Sequence, residues 1–150
     1  MSEVRVRVAV YVVRDTLTGP ELLVFDHRDQ PEAGTQVPAG GIEAGEPLED
    51  AVLREVAEET GVTAVTVRKS LGVQQRPHPH TGQPRVTVFY HASTTERRDR
   101  WSHQVAGSSG TDDGMVFECF FIPVAKALDL LPDRQDEFVA ALLQLLPENA

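Results

Sequence analysis

The sequence predicts an α/β (α+β) fold in which a mixed β-sheet is sandwiched between α-helices. Three features carry this expectation: a period-two strand near the start, an acidic helix bracketed by Pro47 and Gly61, and a terminal segment with apolar residues at helical spacing. With 150 residues and 41% hydrophobic content, the chain supports one ordinary core, so residues 1–150 are expected to form a single domain.

Val4, Val6, Val8 and Val10 alternate with Arg5, Arg7 and Ala9 and lead into Tyr11, Val12 and Val13, a half-buried strand that becomes continuously apolar. Thr18-Gly19-Pro20 turns the chain into a second strand over 21–25, and residues 26–35, with Pro31 and Gly34, read as loop. Gln36 and Val37 read as a very short strand. Pro47 at a first helical position, Glu49 and Asp50 in the first turn and Gly61 just past the end set a helix over 47–60. Strands are expected over 65–73 and 85–92, separated by a loop that Pro77, Pro79 and Pro84 keep irregular. Residues 94–114 are rich in Ser, Thr, Gly, Arg and Asp and read as a long connection, either a lid or a mobile segment. Residues 115–124 form an apolar strand with one charge, Glu118, and Phe138, Ala141, Leu142 and Leu145 place a terminal helix over 133–146.

Composition narrows the function. A formal net charge of −9 disfavours long nucleic acid, whose phosphates are bound by neutralising cations, and leaves small anionic partners that reach the protein through a divalent metal. The single cysteine, Cys119, forms no internal disulfide and sits in an apolar run. The apolar stretch over 8–13 is too short for a membrane span or a secretory core, so a soluble cytoplasmic protein with no membrane partner is expected. Neither a Gly-x-Ser-x-Gly elbow nor a Gly-x4-Gly-Lys-Ser/Thr phosphate loop is present.

The informative stretch runs Gly40-Gly41-Ile42-Glu43-Ala44-Gly45-Glu46 and then, after 47–53, Arg54-Glu55-Val56-Ala57-Glu58-Glu59-Thr60-Gly61-Val62. At about 100° per residue, Glu59 lies about 40° from Glu55 and Glu58 about 60° to the other side, so three carboxylates share a helical face with Leu48, Ala51 and Val52. Like charges on an apolar face repel and lose hydration, and a bound dication removes both penalties. Oxygen ligands without a cysteine or histidine set point to Mg2+, with Mn2+ as the alternative. Leu53 falls near the opposite side and needs cover from elsewhere.

Gly40, Glu46, Arg54, Glu55, Glu58, Glu59 and Gly61, with apolar Val56 and Val62, resemble the Nudix box of the MutT-like Nudix hydrolases. The resemblance covers residues 40–62 and implies a mixed sheet between helices and a metal-dependent pyrophosphohydrolase. It also implies that Glu55 and Glu59 lead the metal ligands, that Glu58 ligates or orients through water, that the Ala39 carbonyl is a backbone ligand, and that Glu46 is an outer partner. Arg54 holds the glutamates in place. The base for the attacking water is open among Glu58, Glu55 and the strand residue Glu118.

Substrate is not legible in the box. A nucleoside diphosphate linked to another group is expected: ADP-ribose or a nucleotide sugar, a nucleoside triphosphate, or a dinucleoside polyphosphate. Pro77, 16 residues after Gly61, resembles a marker of ADP-ribose-hydrolysing members, although its surroundings do not match. Arg28, Arg76 and Arg85 are candidates to grip phosphates, and Trp101 with His103 to cover a base. The plainer alternatives are solvated arginines and a tryptophan that anchors its loop. His78 and His80 read as an exposed turn. A catalytically silent nucleotide-binding module is the alternative to an enzyme, and homodimerisation is compatible with either.

Overall fold

The computed structural model describes residues 3–105 and 114–147. Its elements run β1 (Arg5–Thr16), β2 (Gly19–His27), β3 (Ala39–Gly41), α1 (Leu48–Thr60), β4 (Val65–Gln75), β5 (Arg85–Thr94), β6 (Arg100–Gln104), β7 (Val116–Pro123) and α2 (Val139–Leu145). Among the described residues the strands form one sheet in the order β4-β5-β1-β2-β7-β6, with β3 also beside β1. β1 and β5 are parallel and the remaining pairs antiparallel, which is the mixed sheet expected.

β1 lies inside the sheet, and its sequence changes where helices cover both faces. Val8, Val10 and Val12 pack with Ala51, Val52 and Val56 of α1, while Ala9, Tyr11 and Val13 pack with Val139 and Leu142 on the α2 side. A strand buried on both faces has no polar side to show, which is why the alternation with arginine stops at Val8. Cys119 is buried in the α1-side core, and that burial pushes its thiol up to about 12, so it acts as a small apolar residue.

α1 opens after Pro47, whose extended backbone leaves a proline where no helical N–H is needed. It closes at Gly61, whose N–H donates to the Ala57 carbonyl at 2.9 Å and whose left-handed φ of 77° then turns the chain out of the helix. Leu53 is 41% exposed and gains no cover, contrary to expectation.

Other expectations are corrected. Gln36 makes only an isolated bridge with Phe25, and the short strand lies instead at Ala39–Gly41. The connection over 94–114 contains a strand, β6, which pairs with β7 and places Ser102 across from Glu118. The lid reading also involves residues 106–113, which lie outside the described residues. The terminal helix begins only at Val139, and Asp133 and Arg134, with φ of 53° and 54°, lie outside it. Two consecutive left-handed residues cannot belong to a right-handed helix. That segment is tied to the sheet by polar contacts. The Tyr11 hydroxyl donates to the Gln135 carbonyl, the Val37 N–H donates to Gln135 Oε1 at 3.0 Å, and Gln74 Nε2 donates to the Arg134 carbonyl at 3.0 Å. No described helix is long and apolar enough to cross a membrane.

The same segment presses on β4 at Gly72, where a Cβ would stand 2.3 Å from the Phe138 ring. Gly72→Val should destabilise the protein by about 1–3 kcal/mol through this overlap, read from the midpoint of urea unfolding; an unchanged midpoint would show that the terminal segment yields freely.

Candidate functional site

The site is organised on the edge of β3 that faces away from β1. Val10 N–H donates to the Pro38 carbonyl and Ile42 N–H to the Val6 carbonyl, so alternate peptides are spent on pairing and those of Ala39 and Gly41 point the other way. Both are used by α1: the Ala39 N–H donates to Glu59 Oε1 at 2.8 Å, and the Gly41 carbonyl accepts from Arg54 Nη2 at 3.0 Å. The Ala39 carbonyl shares this edge with its own N–H. Between them, Gly40 has no side chain because the Glu55 carboxylate is there. A Cβ at Gly40 would lie 2.3 Å from it.

Arg54 is the hub. Its Nε and Nη2 each donate to Glu46 at 2.8 Å, and its Nη1 donates to Glu55 at 2.8 Å and Glu58 at 3.3 Å. Glu43 lies 3.7 Å away, and its N–H donates to Glu46 Oε1 at 3.0 Å. Glu55 and Glu59 are each only 7% exposed. Burial pushes the Glu55 carboxyl up to about 7, against the opposing pull of Arg54. Glu46 is held down at about 2, chiefly by its hydrogen bonds from Arg54, and Arg54 in turn is made harder to deprotonate.

The donor set suits a hard dication: Glu55, Glu58 and Glu59 present oxygen only, beside a backbone carbonyl and a glycine with no side chain to obstruct approach. Yet among the described residues no three carboxylate, imidazole or thiolate side chains converge as a metal-binding group. Arg54 engages Glu55 and Glu58, and the Ala39 amide engages Glu59. Each of these carboxylates has a second oxygen, so joint ligation by the three glutamates requires their side chains to converge further, not to leave these partners.

The other sequence candidates are not gathered here. Glu118 lies between Phe117 and Cys119, both in the α1-side core, so strand alternation sends it to the opposite sheet face. There Ser102 and Arg28 donate to it, each at 2.7 Å, and hold its carboxyl below the usual range. That placement argues against Glu118 as a base beside α1, and it occupies Arg28 as well. Arg76 and Arg85 both pair with Asp133 at 2.9 Å, and Arg85 also donates to the Arg76 and Pro77 carbonyls. His78 and His80 lie in the turn before β5, where His78 Nδ1 accepts the N–H groups of His80 and Thr81.

Trp101 anchors β6 to the helix. Its indole N–H donates to the Thr60 carbonyl at 2.8 Å, and His103 Nε2 lies 2.9 Å from the Glu58 carbonyl. Since a carbonyl only accepts, Nε2 carries the proton. These contacts satisfy carbonyls that the end of a helix leaves unpaired. No local sequence signal marked them, because the partners stand 41 and 45 residues apart.

Comparison with known proteins agrees with this architecture. Residues 3–142 match the family model of the NUDIX domain. The structure is similar to the NUDIX domain of Shewanella oneidensis NrtR in a cocrystal with ADP ribose, with a TM-score of 0.71, 19% identity and coverage of 97% of this chain and 91% of that one. It is also similar to C. elegans Ap4A hydrolase, with a TM-score of 0.66, 15% identity and coverage of 95% and 98%. These identities speak to fold alone. In sequence, 39 residues are 56% identical to an RNA pyrophosphohydrolase of Caulobacter vibrioides, a match spanning 26% of this chain and 23% of that protein.

The buried Glu55 makes a pH prediction with a definite sign. Between its ordinary 4.5 and about 7, the folded protein holds a proton that the unfolded chain has released, so this group's stabilising contribution falls as pH rises through that window. Thermal melts in chelator should therefore show the stability of wild type relative to Glu55→Gln declining from pH 4.5 to 7 and then levelling. A constant difference would mean that Glu55 is ionised throughout.

Proposed function

The chain belongs to the Nudix family, and from that premise we propose that it is a Mg2+-dependent hydrolase of a phosphoanhydride bond, with Mn2+ as the alternative ion. The observation that carries this reading is the delivery of Glu55 and Glu59 from α1 onto the Ala39–Gly40 edge. Two buried carboxylates beside a bare glycine are costly for a purely structural helix and useful for positioning a cation and a phosphate.

In this reading Glu55, Glu59 and Glu58, with the Ala39 carbonyl, hold the ion. When bound, it supplies Lewis acidity, easing charge on the phosphate oxygens and acidifying water. Arg54 sets the orientation of Glu55 and Glu58 and is itself fixed by Glu46 and the Gly41 carbonyl. Glu58, less deeply buried than Glu55, is the preferred base and takes the proton of the attacking water; Glu55 is the alternative. Water oxygen bonds to one phosphorus, the bridging P–O bond breaks, and the departing phosphate keeps the bridging oxygen.

The substrate is proposed as a nucleoside diphosphate bearing a further group. Similar proteins include an RNA pyrophosphohydrolase, an Ap4A hydrolase and a domain holding ADP ribose. One observation favours a second reading, a nucleotide-binding module without turnover: Arg54 engages Glu55 and Glu58, and no three ligands converge.

A panel of ADP-ribose, nucleotide sugars, dinucleoside polyphosphates and nucleoside triphosphates, assayed with magnesium and with chelator, separates the two. The hydrolase reading expects metal-dependent turnover of at least one class; saturable binding without turnover supports the module. For Glu59→Gln, which keeps an oxygen to accept the Ala39 N–H, turnover should fall by roughly two orders of magnitude or more, as on losing a charge-stabilising group. The melting temperature in chelator should not fall. Retained turnover would remove Glu59 from the metal site.

A further inference from the structure

We propose that Arg5 and Arg7, beside Arg85, form an oxyanion subsite for a phosphate beyond the bond that is cleaved, so that the substrate carries a polyphosphate chain. This rests on the hydrolase reading for its link to turnover, but the binding site itself stands on separate residues.

Strand parity brings the arginines together. Ala9 and Tyr11 face the α2 side, so Arg7 and Arg5, two and four residues before Ala9, take the same face. In parallel β5, Phe89 faces that side, which places Thr87 and Arg85 there as well, and Arg5 is in register with Arg85. Arg76 joins them by sharing Asp133 with Arg85. Arg76 and Arg85 hold Asp133, which acts on Arg7 only at longer range, and Arg5 stands beside Arg85 in the sheet, in a protein of formal net charge −9.

Arg5 and Arg7 make no side-chain hydrogen bond or ion pair among the described residues. Arg7 is nonetheless partly buried, beside Arg85 and Arg5. Burial and these like charges lower its proton affinity; Glu59 and Asp133 only partly offset them, and Glu55 also lies within electrostatic range. A structural role would place a carboxylate on such a group. Planar guanidinium forks fit a compact anion with several acceptor oxygens, such as phosphate.

The position ties this cluster to the box. Arg7 is directly across from Gly41 in the β1–β3 pairing, and the Arg5 guanidinium lies 2.9 Å from where a Gly41 Cβ would stand. The neighbouring Gly40 gives the same kind of space to the Glu55 carboxylate. Successive strand residues face opposite ways. Carboxylates and arginines therefore approach two adjacent glycines from opposite sides of β3. A phosphate chain passing that edge meets the cleaving group on one side and the arginines on the other.

The test is titration calorimetry of the whole protein with inorganic tripolyphosphate in chelator, for wild type, Arg7→Gln, Arg5→Gln and Glu59→Gln. Both arginine changes should weaken binding about tenfold or more, the loss expected for a charge-assisted hydrogen-bonding group, and Glu59→Gln should not weaken it. ATP should compete as tripolyphosphate does, whereas orthophosphate and AMP should compete poorly. No binding by wild type, unchanged binding in both arginine variants, or equal competition by orthophosphate overturns the proposal. In turnover assays Arg7→Gln should raise KM for a dinucleoside tetraphosphate about tenfold more than KM for ADP-ribose; equal effects on both substrates also overturn it. Absence of turnover in wild type would defeat the hydrolase reading alone, since the titration needs no catalysis.

Discussion

Arg54 joins the acidic helix to the glycine strand and the loop between them. Its five donors reach Glu46 twice, the Gly41 carbonyl, Glu55 and Glu58. Without a permanent positive charge there, the carboxylates of α1 and its preceding loop would face one another, with Glu55 already buried. An ammonium has three donors around one point and cannot span these acceptors, whereas a planar guanidinium does so without bending. The loop geometry, the helix approach and the set of the carboxylates all follow from that one group.

The far end of α1 is secured separately. Trp101 and His103 on β6 take the Thr60 and Glu58 carbonyls, so the helix is tied to β3 by acids and an arginine and to β6 by an indole and an imidazole. Gly61 allows this close approach, since a Cβ there would lie 2.9 Å from His103 Nδ1. A residue fixed near the box as Trp101 is serves the helix first, and its ring also packs near Phe121 beneath Arg98.

β3 is short for a reason that also explains its chemistry. Pairing satisfies one edge, and the other is taken by side chains of α1 instead of a further strand. A peptide edge released from the sheet offers backbone oxygen and nitrogen to side chains and ligands. The adjacent glycines keep both faces of that edge open, and acid and base residues fill them from opposite sides.

The sequence by itself determined the elements whose signals are local: the valine alternation of β1, the proline and glycine that bracket α1, and the 3.6-residue spacing that puts Glu55 and Glu59 on its buried face. It also carried the box from Gly40 to Val62, and with it the family. Tertiary structure decided what depends on partners distant in the chain. It turned the region around Trp101 into a strand, since that strand exists only by pairing with β7. It sent Glu118 to the face opposite α1, and it gave Asp133 and Arg134 a left-handed backbone, so that the terminal helix begins only at Val139. It also set Arg5 and Arg7 beside Arg85, almost 80 residues on. Periodicity reports which face of an element is apolar; only register and packing decide which polar groups meet there.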